Sequence, residues 1–240
     1  MLAVVMRAAS GRPHYANSPL THAMIAVGFD PRNENVDFHA VGLAIKSVFE
    51  GLPVGEPEFI ESDDEPSVLE GVSLSTSDGK SIVQVASNFC AALRLAPYEE
   101  WEVFLPRFLR LWDIMNQNIG VESVHYIAMR YTNQLKIESD EGVDRLLKFY
   151  PVAEHAVATP WRQAVATYKF SDLMSNLDMS IRETSGGNER NIVLDLSVRG
   201  SANLVEKAAT DFVESLEIMH EKIGEAFEMA ITDVARERFA

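Results

Sequence analysis

The sequence predicts an α+β fold, an antiparallel sheet packed on one face by helices, with a long C-terminal helix. Three observations carry this expectation. Residues 124–137, VHYIAMRYTNQLKI, alternate with period two, and one face (His125, Ile127, Met129, Tyr131, Asn133, Leu135, Ile137) is mostly apolar. The strand signals fall in hairpin-linked runs instead of alternating strictly with helices, which favours antiparallel pairing. Residues 204–231 place Phe212, Leu216, Met219, Ile223, Phe227 and Ile231 at helical spacing; a helix of that length spans roughly 42 Å.

Residues 1–16 read as a flexible N-terminal tail with a short apolar run, and Met6 is an alternative start. The remainder, 17–240, reads as a single α+β domain; two sub-lobes meeting near 138–160 are the alternative division. After Asn17-Ser18-Pro19, residues 22–29 alternate weakly and predict a first strand. Asn35 is placed to cap a helix carrying Phe38, Val41, Ile45, Val48, Phe49 and Leu52, with Gly51 and Pro53 to stop it. The acidic stretch 56–66, EPEFIESDDEP, reads as a solvated loop. It lacks the ordered ligand spacing and turn glycine of a calcium loop.

Residues 68–76 predict a strand and Ser77-Asp78-Gly79-Lys80 a hairpin turn, since Asp-Gly tolerates positive φ. Residues 81–95 then read as one long returning strand, with Cys90 on its less apolar side. Pro97 opens a helix with an aromatic stripe, Trp101, Phe104, Phe108 and Trp112, ending at Gly120. Pro106 inside it predicts a kink or a restart near Leu105. A connector over 139–160 holds a short helix at 143–149. Strand signals follow at 162–170, 177–182 and 192–198, with Gly186-Gly187-Asn188 as a turn. That turn lacks the lysine and following helix of a phosphate cradle. Asn203 caps the last long helix, and Thr232 or Asp233 caps a final turn over 234–239. Each half of the chain runs strands into a helix, but no residue-level repeat is visible.

Composition narrows the function classes. Of 240 residues, 47% are hydrophobic and 24% charged, within the ordinary range of a folded soluble chain. Lys and Arg number 21 against 36 Asp and Glu, a net charge of -15. That excess opposes a phosphate backbone, so no nucleic-acid partner is expected. No apolar run is long enough to cross a membrane, and no signal-peptide pattern opens the chain. The single cysteine, Cys90, excludes an intramolecular disulfide and a cysteine-rich zinc site. A cytoplasmic location fits this usage.

Several short motifs together resemble a known family. They are Asn17-Ser18-Pro19-Leu20 before the first strand, Pro97-Tyr98-Glu99-Glu100-Trp101 at the aromatic helix, and Met129-Arg130-Tyr131-Thr132-Asn133 on the long strand. The C-terminal set is His220, Phe227, Glu228, Ile231, Thr232 and Asp233. Over about residues 17–233 the chain resembles a sporadically distributed family of uncharacterised prokaryotic proteins of about 240–270 residues. The resemblance carries no catalytic role. It implies an accessory gene linked to mobile elements or defence. Residues 200–203 match nothing in that pattern.

The candidate ligand-binding residues are Arg130, Asn133, His220 and Glu228. The pleat puts Arg130 and Thr132 on one face and Tyr131 and Asn133 on the other. Arg130 either pairs with a carboxylate or holds a small anionic ligand. Asn133 on an apolar face needs a hydrogen-bond partner. His220 and Glu217, three apart, can share a helix face, but two residues do not make a metal site. No nucleophile motif, Walker-type loop, HExxH or dinucleotide fingerprint occurs, so no catalytic residue, metal or cofactor is assigned. The expectation is a binding or protein-interaction module, self-associating as a homodimer or binding another protein. Its basis includes a long helix with surplus apolar stripe to bury against a partner. The alternatives are an enzyme with a cleft site of Arg130, His220 and Glu228, and a small apolar-ligand carrier.

Overall fold

A computed structural model describes residues 15–32, 36–48, 58–61, 69–98, 100–138, 141–149, 162–170, 175–186, 189–201 and 209–240. The expected tail through residue 14, the Asn35 and Asn203 caps, the stop at Gly51 and Pro53, and most of the 139–160 connector lie outside these residues. In chain order come β1 (Leu20–Pro31), α1 (Phe38–Val48), β2 (Glu58–Glu61), β3 (Leu69–Ser75), β4 (Ser81–Ala86) and β5 (Phe89–Leu95). Then follow α2 (Trp101–Asn118), β6 (Val121–Ile137), β7 (Arg162–Phe170), β8 (Ser175–Gly186), β9 (Glu189–Ser201), α3 (Ala209–Ala230) and α4 (Asp233–Phe239). The described strands form one nine-stranded sheet in the order β2-β3-β4-β5-β1-β6-β9-β8-β7. Every pairing is antiparallel.

The pleat sorts the side chains by face. Ala23, Ile25, Val27 and Phe29 of β1, Met129 and Leu135 of β6, and Ile192, Leu194, Leu196 and Val198 of β9 are all 0% exposed. They join Phe108, Leu111 and Met115 of α2 and Leu216, Met219 and Ile223 of α3 in one hydrophobic cluster. Each Val, Leu, Ile, Met or Phe among them contributes about 1.5–3 kcal/mol by leaving water. The described helices therefore cover one face of the sheet, which we call the core face; no described helix covers the other, which we call the open face. This is the α+β architecture the alternation predicts.

Several local expectations change. Residues 81–95 form two strands, because Ala86 pairs with Phe89 across a two-residue turn at Ser87-Asn88. That turn inverts the alternation, so Val83 and Val85 share the core face with Cys90 and Ala92. Cys90 is fully buried, and burial pushes its thiol pKa up. On β6 the register slips where Gly28 pairs with Tyr126 but Phe29 with Val124. His125 is the extra residue of this bulge. It leaves the apolar face and is exposed, while Val124 turns inward. Within the acidic stretch, Glu58–Glu61 pairs with β3.

The 143–149 segment holds only a 3-10 turn at Val143–Arg145. Helix α2 begins at Trp101, not at Pro97, and runs through Pro106 without a restart. The carbonyl deprived of a donor belongs to Glu102 in an exposed first turn, where water can serve it. Gly120, at φ 72°, ends that helix as its N–H bonds Met115 O. Thr232 caps α4 by accepting from Ala235 N.

The described part of helix α3 has 22 residues, about 33 Å; positions 204–208 of its expected 204–231 span lie outside the described residues, and Ile231 lies just beyond its end. Its stripe of Phe212, Leu216, Met219, Ile223, Ala226 and Ala230 is buried within the chain. None of the described helices is long and apolar enough to cross a membrane.

The strand order also contains a repeat that the sequence hides. In the first half, β1 lies beside β5, the last strand of the meander β3-β4-β5, which leads into α2. In the second half, β6 lies beside β9, the last strand of the meander β7-β8-β9, followed by α3. The halves meet at the β1–β6 pair, where Ala26 faces Ala128. A pseudo-two-fold axis through this pair exchanges them. Three described elements lack a counterpart: α1 after β1, β2 beyond β3, and α4 after α3.

Candidate functional site

Arg130 lies on the open face. Its Nε donates to Asp195 Oδ1 and Oδ2 at 2.8 and 2.9 Å, and its Nη2 also donates to Oδ2. Thr132 Oγ1 donates to the same carboxylate at 3.1 Å. Hydrogen bonding to Asp195 raises the already high pKa of Arg130. The structure thus realises the carboxylate-paired arrangement, with Asp195 in the place a ligand anion would take.

Tyr131 and Asn133 face the core. Asn133, 5% exposed, donates to Leu194 O of β9 at 3.4 Å, so its partner is a neighbouring strand. Tyr131 OH shares a hydrogen bond of 2.7 Å with His220 Nδ1 and lies 3.4 Å from Tyr98 OH. The His220 ring stacks on Trp101, centroids 4.2 Å apart and nearly parallel at 1°. Trp101 Nε1 donates to Glu217 Oε2 at 2.9 Å. His220 and Glu217 do share a helix face, as their spacing suggests, and what they share is Trp101. The cluster Tyr98-Trp101-Tyr131-Glu217-His220 joins the start of α2, the middle of β6 and α3.

Glu228 sits elsewhere, eight residues along α3 from His220, or about 12 Å. Its Oε1 accepts from Tyr15 OH at 2.8 Å and its Oε2 from Arg236 Nε at 2.9 Å. Arg236 also bonds Asp233 and the Glu228 carbonyl. Tyr15 packs edge-on to Phe227 and Phe239, and Asn17 N bonds Phe239 O. This clasp holds the entry to β1 against the C-terminus. Burial, then the Glu228 hydrogen bond and charge, push the Tyr15 phenol up to about 12.

The four sequence candidates therefore do not converge. Arg130 is on the open face, His220 and Glu228 are on the helix side, and they are well separated along α3. The cleft site that would use Arg130, His220 and Glu228 together does not exist. Asn133 is a buried tie between β6 and β9.

Sequence reasoning placed Trp101 in an aromatic helix stripe and Tyr98 in a family motif, and identified neither as a polar partner. It also missed Asp30, which bonds Ser123 Oγ at 2.6 Å and His125 Nε2 at 2.7 Å. These bonds hold the Asp30 carboxyl below its usual range, Ser123 first and His125 next. The three residue types are those of a hydrolytic triad, but the acid sits in the middle. Serine and histidine both spend their contact on it, so no base is shown activating the hydroxyl. Among the described residues, no group of three or more His, Cys, Asp or Glu is placed to hold a metal ion.

The open face divides at the pseudo-two-fold axis. On the β1, β4 and β5 side it presents Met24, Ile82, Phe89 and Leu93, all half-buried, around Ala26 and Ala91 at 3% exposure. Tyr126 lies over Gly28 and carries Arg199 at 4.0 Å from its ring centroid. On the β6, β8 and β9 side the face turns polar, with Arg130, Arg182 and Arg199 near Asp178 and Asp195. No family model matches this chain, and no curated protein matches it.

Proposed function

We propose that this protein is a protein-interaction module that binds its partner through the open face of the sheet. The observation that supports this reading is the apolar half of that face. Antiparallel sheets usually solvate an uncovered face with polar residues. Here Met24, Ile82, Phe89 and Leu93 stand where polar residues would be expected, opposite the face that the described helices cover. An apolar patch rimmed by charged side chains is the common form of a protein contact surface. The enzyme alternative loses its motivation because its three residues are dispersed. The carrier alternative needs an apolar cavity under α3, where Leu216, Met219 and Ile223 belong instead to the shared core. An accessory or defence setting rests on the family resemblance alone.

The test is affinity purification with the intact chain, the Met24→Glu/Leu93→Glu variant and the milder Leu93→Gln, each checked by circular dichroism. A partner held by the natural chain should be lost from the double variant and reduced in the single one. It should also slow amide exchange on β1, β4 and β5. A partner retained equally by folded variants would sink the proposal.

A further inference from the structure

We propose, resting on the open-face reading, that the partner taken there is an acidic protein segment, apolar at its centre and carrying carboxylates that meet Arg130, Arg182 and Arg199.

Most of the chain repels such a partner. The net charge is -15, and α3 sets Glu214, Glu217, Glu221 and Glu225 against a single lysine, Lys222. The open face departs from this balance. On its β6, β8 and β9 side, the described positions carry Arg130, Lys136, Arg182 and Arg199 against Asp178 and Asp195. Cations outnumber carboxylates there, in a chain where the reverse holds overall.

The carboxylates of this face are also more fully engaged than the cations. Asp195, with its side chain 14% exposed, accepts from Arg130 and Thr132. Asp30, on β1, accepts from Ser123 and bonds His125. The Arg130 side chain is 51% exposed. Its bonds to Asp195 run through Nε and Nη2 and leave Nη1 for a further acceptor. Arg182 and Arg199 are exposed and have no carboxylate partner among the described residues. Arg199 lies on the Tyr126 ring. Stacking of that kind occupies the flat side of a guanidinium and keeps its N–H edge available for a carboxylate.

The strand register sets the form of the partner. Ile82 of β4 pairs with Leu93 of β5, Leu93 with Met24 of β1, and Met24 with Arg130 of β6. Strands are spaced about 4.8 Å apart, so this row passes from apolar to cationic over about 14 Å. One row along, Ala26 pairs with Ala128 and Ala128 with Arg199. A segment whose apolar centre lies over Met24 and Leu93 therefore brings one flank over the arginines. Carboxylates on that flank form charge-assisted pairs. At the rim of a contact, such pairs govern the rate of encounter and the choice of partner more than the tightness of the complex. A nucleic-acid strand also offers anions, but it is charged along its whole length and has nothing to set against the apolar row. A protein segment can place apolar and acidic groups side by side.

The experiment selects peptides from a random display library on the immobilised full chain and measures their binding, as synthetic probes, by surface plasmon resonance. The selected peptides should place two or more Asp or Glu beside an apolar core. Arg182→Glu/Arg199→Glu should slow their association by about tenfold or more at low salt, with dissociation little changed. The milder Arg182→Gln/Arg199→Gln should slow it less, and high salt should narrow both differences. Leu93→Gln should instead speed dissociation. Circular dichroism and melting temperature establish that each variant folds. Bound peptide should slow amide exchange on β1, β5, β6 and β9. Neutral or basic peptides that protect these strands would overturn the acidic partner and leave the open-face reading standing. Peptides that protect none of them would overturn both. Acidic peptides indifferent to the arginine substitutions overturn the proposal, as does a library that yields no binder. So does a natural chain that prefers a single-stranded oligonucleotide or phosphatidylserine vesicles to the peptides, or one whose open face is occupied by a second copy in sedimentation velocity and amide exchange.

Discussion

Replacing Tyr131 with Phe removes one oxygen from the cluster that joins β6 to α3, and the structure allows its cost to be estimated. The phenol is 7% exposed as part of Tyr131, shares a 2.7 Å hydrogen bond with His220 Nδ1 and lies 3.4 Å from Tyr98 OH. The ring contacts to Tyr98 and His220, at centroid distances of 6.0 and 5.8 Å, survive in the variant. The change therefore isolates the polar contribution. Removing one partner from a half-buried ring nitrogen costs about 1–3 kcal/mol. For a chain of 240 residues, each kcal/mol lowers the melting temperature by about 2–4 °C. The expected loss is then about 2–12 °C. Urea denaturation followed by tryptophan fluorescence measures it, and Trp101, stacked on His220, makes the emission sensitive to this contact. A double-mutant cycle with His220→Phe keeps a ring against Trp101 while removing the nitrogen. Its coupling should be about 0.5–3 kcal/mol. A Tyr131→Phe cost below about 0.5 kcal/mol, or additive costs in the cycle, would refute the view that this hydrogen bond ties α3 to the sheet.

Two further outcomes follow from the geometry. Gly28→Ala would place a methyl 2.2 Å from Tyr126 Cε1, so it should cost about 1–3 kcal/mol by overpacking. In a Tyr126→Ala background the same change should be nearly neutral, and equal melting-temperature losses in both backgrounds would contradict the contact. Glu141 is 7% exposed, and Arg238 holds it by hydrogen bonds of 2.9 and 3.1 Å. Arg238 first, then the Glu138 backbone N–H and nearby positive charges, keep its carboxyl below the usual range against the opposing effect of burial. A carboxylate lowered in this way stabilises the fold above its unfolded pKa, about 4.3, and that stability is lost as pH falls through its lower folded value. Glu141→Gln should be less stable than the natural chain at neutral pH, yet lose less stability on acidification below about pH 5. Urea midpoints across that range decide it, and parallel pH profiles would dismiss the pair.

Much of the fold was legible because the pleat has a short period. The alternation of Ile127, Met129, Tyr131, Asn133, Leu135 and Ile137 is read directly from the chain and holds in the structure. It failed at His125 because a bulge depends on the partner strand, and Gly28–Phe29 belong to β1, about a hundred residues earlier. It failed again over 81–95 because a two-residue turn at Ser87-Asn88 leaves the apolar spacing almost intact while reversing the chain. The site was less legible. The motif Arg130-Tyr131-Thr132-Asn133 looks like one polar cluster in sequence, but the pleat sends its members to opposite faces. Trp101 and Glu217 are separated by 116 positions, and nothing in either neighbourhood announces the other.

The sequence by itself determined the class of fold and the core face of β6 from Ile127 to Ile137; it narrowed the α4 cap to Thr232 or Asp233 and left Arg130 between a carboxylate and an anionic ligand. These follow from local periodicity, capping chemistry and the cost of leaving an arginine unpaired. Only the tertiary structure decided that β1 and β6 lie side by side, that the two halves repeat about them, and that β7 is the outermost of the described strands on its side. It also decided that Arg130, His220 and Glu228 lie apart. Strand order is set by contacts between residues far apart in the chain, and the alternation that identifies a strand is the same whichever neighbour it has.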